Sequence, residues 1–236
     1  MSEAEKSQSL AFEAYLTVRQ RILRGELVIG QTISRRKVAA ELGMSFLPVS
    51  EAFMRLEFEG LLESRARAGT RVRIPTKQDI NGHYAVREAL EVQAARLFAE
   101  HATREEKTEL MRMAMRVDAL GQSSDADRIV YLSLHERLHG RIAEYARCPA
   151  LSAAIEKTHA LASTWNCVTQ KSGPVRKHHQ DLVKALSKGD PEVAGHAMRV
   201  HIDLSRQRTF KRLEAWFEIG ENGSSRYARS PAEQRI

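Results

Sequence analysis

The spacing of apolar residues in the first third of the chain changes from helical to alternating, and the change marks out a sequence of elements. Ala14, Tyr15, Val18 and Ile22 recur at helical spacing, which predicts a helix from Ala11 ended by Gly25. Ser34 to Ser45 predicts a second, short helix followed by a turn at Gly43. From Phe46 to Gly60, Val49, Ala52, Phe53 and Leu56 form one apolar stripe, leaving Leu47, Ser50, Glu51 and Met54 on the outer face. Ser45 is placed to cap this helix, and Pro48 is tolerated in a first turn whose amides lack partners. The period then falls to two. Leu61–Arg65 and Thr70–Ile74 predict strands, with Val72 and Ile74 alternating with Arg71 and Arg73. Gly69 suits the tip between them, where a positive φ is needed.

From Asp79 onward the pattern is helical only, with helices expected at 79–101, 103–120, 125–146, 150–170, 174–188 and 191–217. Cys148-Pro149, Gly173-Pro174 and Gly189-Asp190-Pro191 each pair a helix stop with a proline-led start. Polar residues 1–9 are expected to fray, and 218–236, with Gly220, Asn222-Gly223 and Pro231, to form a disordered tail. The expected fold is mainly α. A winged helix-turn-helix fills 10–76, Pro75-Thr76-Lys77 links, and an all-α helical bundle fills 79–217.

Helix, tight turn, helix and β-hairpin is the order of a module whose second helix enters a DNA major groove. Charge agrees: net charge is +7, and residues 15–76 carry 11 Lys and Arg against 6 Glu, five of the seven net positive charges. That distribution suits a double-stranded DNA operator. Arg36, Lys37, Arg55, Arg71 and Arg73 are the candidate phosphate contacts, Leu47, Ser50, Glu51 and Met54 form the face that would meet bases, and Ser45 and Phe46 at the start of the helix are further candidate DNA contacts. A composition of 42% hydrophobic and 28% charged residues is that of a globular protein. Two cysteines, Cys148 and Cys167, exclude a disulfide framework. With no membrane-length apolar run and no basic-then-apolar start, the expected location is cytoplasmic, without a membrane partner.

Nine histidines add a second kind of chemistry. His135 and His139 lie four apart on one helix face, a spacing that can chelate one ion. His179 sits on the stripe His179, Leu182, Val183, Leu186, and His201 on the stripe Ala194, Ala197, Met198, His201, Leu204. Three helices turning imidazoles into one bundle is how bundles build metal sites. Core histidines satisfied by hydrogen bonds are the other reading of the same pattern. Arg87 and Glu91, at i and i+4, predict a helix ion pair worth only ~0.3–0.5 kcal/mol if exposed. Tyr84, Trp165 and Asn166 are further pocket candidates, although an aromatic at helical spacing is more often core.

Several segments together resemble a known family. Ile22-Leu23-Arg24-Gly25-Glu26-Leu27, Val38 to Ser45, Pro48 to Ala52 and Arg55 to Leu61 resemble the GntR family of bacterial transcription regulators. Tyr84 to Glu91, Leu138 to Glu144 and Gly189 to Ala194 resemble the FCD ligand-sensing domain of its FadR-type branch, and six helices point to the VanR-like subgroup. The resemblance implies a homodimeric regulator, with repression released by a small carboxylate effector as the expected sign. It also implies metal binding by His139, His179 and His201, and an effector contact by Arg87. Two departures stand out. Where the family commonly has guanine-reading arginines, this chain has Phe46 and Ser50, and where it usually has a metal-binding Asp, this chain has His135. An all-imidazole set favours Zn²⁺, Ni²⁺ or Cu²⁺ over Mn²⁺, with Zn²⁺ or Ni²⁺ the expected ion.

Three rival readings remain at this stage. A metallohydrolase needs a base beside the metal, but there is no HExxH, GxSxG or phosphate loop, and Glu136 points about 100° round the helix from His135. A metal-responsive DNA binder would take the ion itself as its signal. A non-specific architectural DNA protein would coat DNA evenly.

Overall fold

A computed structural model of the chain describes residues 3–65, 69–121, 128–168 and 178–221. The expected wing tip at 66–68, the starts of the helices placed at 125 and 174, residues 169–170, the tail beyond 221 and the side chains of Trp165 and Asn166 lie outside the described residues.

The first helix, α1 (Glu3–Leu23), starts well before Ala11. Its leading Glu, Ala, Lys and Gln residues are good helix formers, and that propensity carries the helix through a segment expected to fray. Its buried stripe, Ala14, Tyr15, Val18 and Ile22, packs on α3 (Phe46–Phe58) through Val49, Ala52, Phe53 and Leu56. Between them α2 (Arg35–Leu42) is capped by Ser34, whose hydroxyl accepts from the Lys37 amide, and is closed by Gly43 at φ 63°. Ser45 takes the extended cap conformation before α3, yet its side chain makes no capping bond, contrary to expectation. Pro48 contributes to this, since it occupies the third helical position and removes one of the two amides that such a cap binds.

The wing is a three-stranded antiparallel sheet in the order β1–β3–β2, built from β1 (Thr32–Ile33), β2 (Leu62–Arg65) and β3 (Gly69–Val72). Register pairs Leu62 with Val72, Glu63 with Arg71 and Arg65 with Gly69. Two-residue β1, against the far edge of β3, was not expected because so short a strand shows no alternation.

Among the described residues six helices follow: α4 (Lys77–His101), α5 (Arg104–Leu120), α6 (Arg128–Tyr145), α7 (Pro149–Val168), α8 (His178–Leu186) and α9 (Pro191–Glu221). Thr76 with Asp79, and Thr103 with Glu106, form reciprocal capping boxes that fix the starts of α4 and α5. The pair α4 and α9 runs antiparallel, tied by Arg96 to Glu192 (2.9 Å), Arg199 to Glu88 (2.9 Å) and the Tyr84 hydroxyl to Thr209 (2.8 Å). Along α9 the inward row is Ala194, Met198, Ile202 and Thr209, so the expected inward Leu204 is instead exposed. Period 3.6 carries the row from Met198 to Ile202, and Leu204 falls on the outer side.

Head and bundle meet through more than the linker. Arg19 of α1 lies 3.6 Å from Glu136 of α6. A helix expected to stop at 217 continues to Glu221. Near its end Trp216 and Ile74 close on Gly30, where a Cβ would lie 3.9 and 3.4 Å from them. Beside it, the Lys77 ammonium sits 5.6 Å above the buried Phe217 ring. One buried core runs through both parts.

Candidate DNA-reading face and metal centre

On the head, the outer face of α3 is apolar. Phe46, Leu47 and Met54 are 52, 61 and 55% exposed, Ser45 is exposed and Ser50 half-buried. Arg36 and Lys37 stand exposed on α2, with the Lys37 ammonium 4.0 Å from Glu41. The other three basic candidates are not bare cations. The Arg55 guanidinium donates to Glu59 (3.1 Å) and lies 4.0 Å over the Tyr15 ring. Arg71 donates to Glu63, its register partner across the hairpin, and Arg73 donates to Asp79 (2.8 Å). These pairs are half-buried at the surface, where an ion pair is worth about 1 kcal/mol or less, weak enough for a phosphate to compete with the carboxylate. Arg35, which sequence reasoning passed over, is a bracket: it bonds Glu57 (2.6 Å) and Ser64 (3.1 Å) and covers Phe53.

In the bundle, α6, α8 and α9 bring His135, His139, His179 and His201 together, with one ring nitrogen from each lying within 4.8 Å of the others. The rings cluster: centroids are 4.7 Å apart for His135 and His139, 5.0 Å for His135 and His179, and 5.1 Å for His179 and His201. Tetrahedral Zn–N bonds of ~2.0–2.1 Å require nitrogens about 3.4 Å apart, which small ring movements reach. Two of these imidazoles are fixed from behind. Buried His139 meets Glu91 Oε2 through Nδ1 at 2.7 Å, and buried His179 meets Asp118 Oδ1 through Nδ1 at 2.7 Å. Carboxylates in that position set ring orientation and raise ligand basicity. The His179 Nε2 is buried and has no hydrogen-bond partner among the described residues, an unusual state for a core imidazole. The donor set therefore fits a divalent cation.

The electrostatics favour the neutral form of His135 and His201. Burial pushes His135 and His201 well below the usual imidazole value, and the neighbouring histidines push the same way. Burial opposes the Asp118 charge, but the His179 hydrogen bond and the His179 and Gln180 amides outweigh it and hold the carboxyl below its ordinary value. Asp118 thereby also secures the first turn of α8.

Arg87 is buried, with its guanidinium on Glu91 (2.7 Å) and 5.2 Å over the Tyr84 ring. Burial opposes this charge as well, but Glu91 outweighs it and keeps the guanidinium ionised. The expected i, i+4 pair is present in a dry setting where its weight differs from that of a surface pair. Glu91 and Asp118 are the site residues the sequence did not single out as metal-site groups. Spacing could have shown Glu91 as the partner of Arg87, whereas Asp118 lies 61 positions from His179 and leaves no local signal. Glu136, excluded above as a base, faces Arg19.

Comparison with known proteins places both halves. Residues 10–72 match the model of bacterial regulatory proteins of the gntR family, and residues 83–204 match the FCD domain. The chain is 33% identical over 185 residues to a probable D-xylose utilization operon transcriptional repressor of Paenarthrobacter nicotinovorans, covering 77% of this chain and 80% of that one. It is 24% identical to the HTH-type transcriptional repressor RspR of Escherichia coli (strain K12), covering 85% of this chain and 89% of that one. The fold is shared with a putative GntR regulator from Rhodococcus sp. RHA1 (TM-score 0.71, 21% identity, 86% of this chain and 98% of that one). It is shared likewise with E. coli McbR/YncC (TM-score 0.69, 22% identity, 86 and 97%). No helix among the described residues is long and apolar enough to cross a membrane. With a winged head followed by an FCD bundle, the chain belongs to the GntR family, and it is a DNA-binding transcriptional regulator and not an enzyme.

Proposed function

We propose that this regulator is a homodimeric repressor whose hold on its operator is set by a small carboxylate effector at a metal site formed by His135, His139, His179 and His201. The observation that carries the reading is the buried His179 ring, anchored through Nδ1 on Asp118 with Nε2 left unbonded among three other imidazoles. A set of four imidazoles suits Zn²⁺ or Ni²⁺. Such an ion, when bound, supplies a Lewis-acid position for an effector carboxylate. Relatives named as repressors support the sign of the response. Two heads of a dimer would meet half-sites roughly 34–36 Å apart, one helical turn of DNA. In each protomer α9 carries His201 in the bundle and Trp216 against the head, so a shift of α9 alters the head's pose. The effector acts only if it binds the two arrangements with different affinity.

A second reading takes the metal itself as the signal. Arg87 favours it, because the guanidinium that would clamp a carboxylate is only 2% exposed and already holds Glu91.

The first test is inductively coupled plasma mass spectrometry on untagged protein never exposed to chelating resin. About one Zn or Ni per chain supports the histidine site. No metal, even after incubation with those ions, makes the histidines core residues and removes both readings of the sensor, while DNA binding stands. Operator affinity that follows free metal and ignores small carboxylates selects the second reading.

A further inference from the structure

We infer that α3 reads thymine 5-methyl groups through Phe46 and Leu47, so the operator is recognised by apolar contact where most groove-reading helices use paired hydrogen bonds. The inference rests on the reading that α3 enters the major groove. Phe46, Leu47, Ser50 and Met54 fall within one ~100° sector of the helix, at the end that would enter first. Three of the four are large apolar side chains more than half exposed. Leaving such a surface in water is unfavourable unless a partner covers it.

The inventory of donors narrows that partner. From Ser45 to Met54 there is no Arg, Lys, Asn or Gln. A guanine edge presents two acceptors and an adenine edge one donor and one acceptor, and both are read by bidentate side chains of those types. Arg55, the first cation along the helix, is turned back onto Glu59 and Tyr15. Thymine offers a methyl group that phenylalanine and leucine can cover. Glu51 can accept from a cytosine amino group, so it allows a C·G pair beside the methyl-reading positions. Exposed Arg36 and Lys37 on neighbouring α2 give this apolar face a cationic border, which fits a polyanion and not an apolar protein surface.

The test starts from random-sequence duplexes enriched on the full-length protein. One enriched duplex is then copied twice, once with thymidine and once with deoxyuridine triphosphate. Uracil keeps the pairing and the O4 acceptor and lacks only the methyl. The expected result is affinity about fourfold weaker for each contacted methyl removed, the weight of one buried methylene, with the salt slope unchanged. Phe46→Ala should shrink the difference between the two copies, and Phe46→Arg should shift enrichment toward guanine. Equal binding of both copies of an enriched duplex overturns the inference and leaves DNA reading by α3 standing. An equal loss on a duplex that was never enriched overturns it too, because the methyls would then act through DNA shape. If no sequence is enriched at all, groove reading by α3 fails, and the inference with it.

Discussion

Arg71 with Glu63 on the wing and Arg87 with Glu91 in the bundle are the same chemical pair in two settings, and the settings decide what each can do. The wing pair keeps 28 and 25% of its side chains exposed, against 3% for each member of the bundle pair. A pair at the surface is worth ~0–1 kcal/mol and can exchange a carboxylate for a phosphate. The buried pair has no such freedom, and Glu91 spends its second oxygen on His139. The wing pair thus keeps the freedom to exchange partners, whereas the buried pair holds the His139 ring in place.

The largest effect that could break this contrast is on stability. Glu91→Leu leaves the Arg87 charge buried without its carboxylate, and is expected to cost ~3–5 kcal/mol. Urea unfolding measures it, and replacing both residues with apolar ones should recover most of the loss. A cost near that of a surface pair would mean that Arg87 reaches water, and the contrast would disappear.

Next in size is the metal site. His179→Ala should abolish metal binding, and Asp118→Asn should weaken it ~10–100-fold by loosening the ring it orients. Competition against a chelator reads both. Unchanged affinity in Asp118→Asn would reduce Asp118 to an anchor for the α8 amides.

These two positions also show where sequence reading stops. The apolar periods of α3 and α8 were legible because each stripe faces one core, and His135 with His139 was legible because four residues make one turn. His179 could be set on an inner face by its own stripe. Its partner Asp118 could not, since α5 and α8 meet only in the folded chain. Surface charge was legible in part for a related reason: Arg71 and Arg73 alternate outward as expected, while Glu63 and Asp79 arrive from other segments to meet them. Leu204 failed for a local reason, a helical stripe continued one step along the wrong row.

The linker gives a smaller, pH-dependent effect. Burial opposes the Asp79 charge, but the Thr76 amide and hydroxyl and the Arg73 guanidinium outweigh it and hold the carboxyl below its ordinary value. The folded state therefore binds a proton less readily than the unfolded chain. Its stabilisation is full above the ordinary carboxylate range and is lost as pH falls through the lowered value. Thr76→Ala should cost ~1 kcal/mol at neutral pH as a lost cap. Asp79→Asn should flatten the acid limb of the stability profile, and an unaltered limb would place that titration elsewhere.

The smallest effect tests the exposed pair directly. Glu63→Gln removes the partner of Arg71 and should change stability by no more than ~0.5 kcal/mol, as for an ordinary surface substitution. If DNA already displaces Glu63 in the complex, the variant binds more tightly with the same salt slope, because the number of neutralised phosphates is unchanged. If Glu63 keeps Arg71 away from phosphate, the slope steepens by up to ~0.9, the increment for one added contact. Arg71→Ala separates the cases from the other side. It lowers the slope, evenly across sequences, only if the wild-type guanidinium reaches the backbone. A variant that alters sequence preference instead would make Arg71 a base reader, and the wing would then share the specificity assigned here to α3.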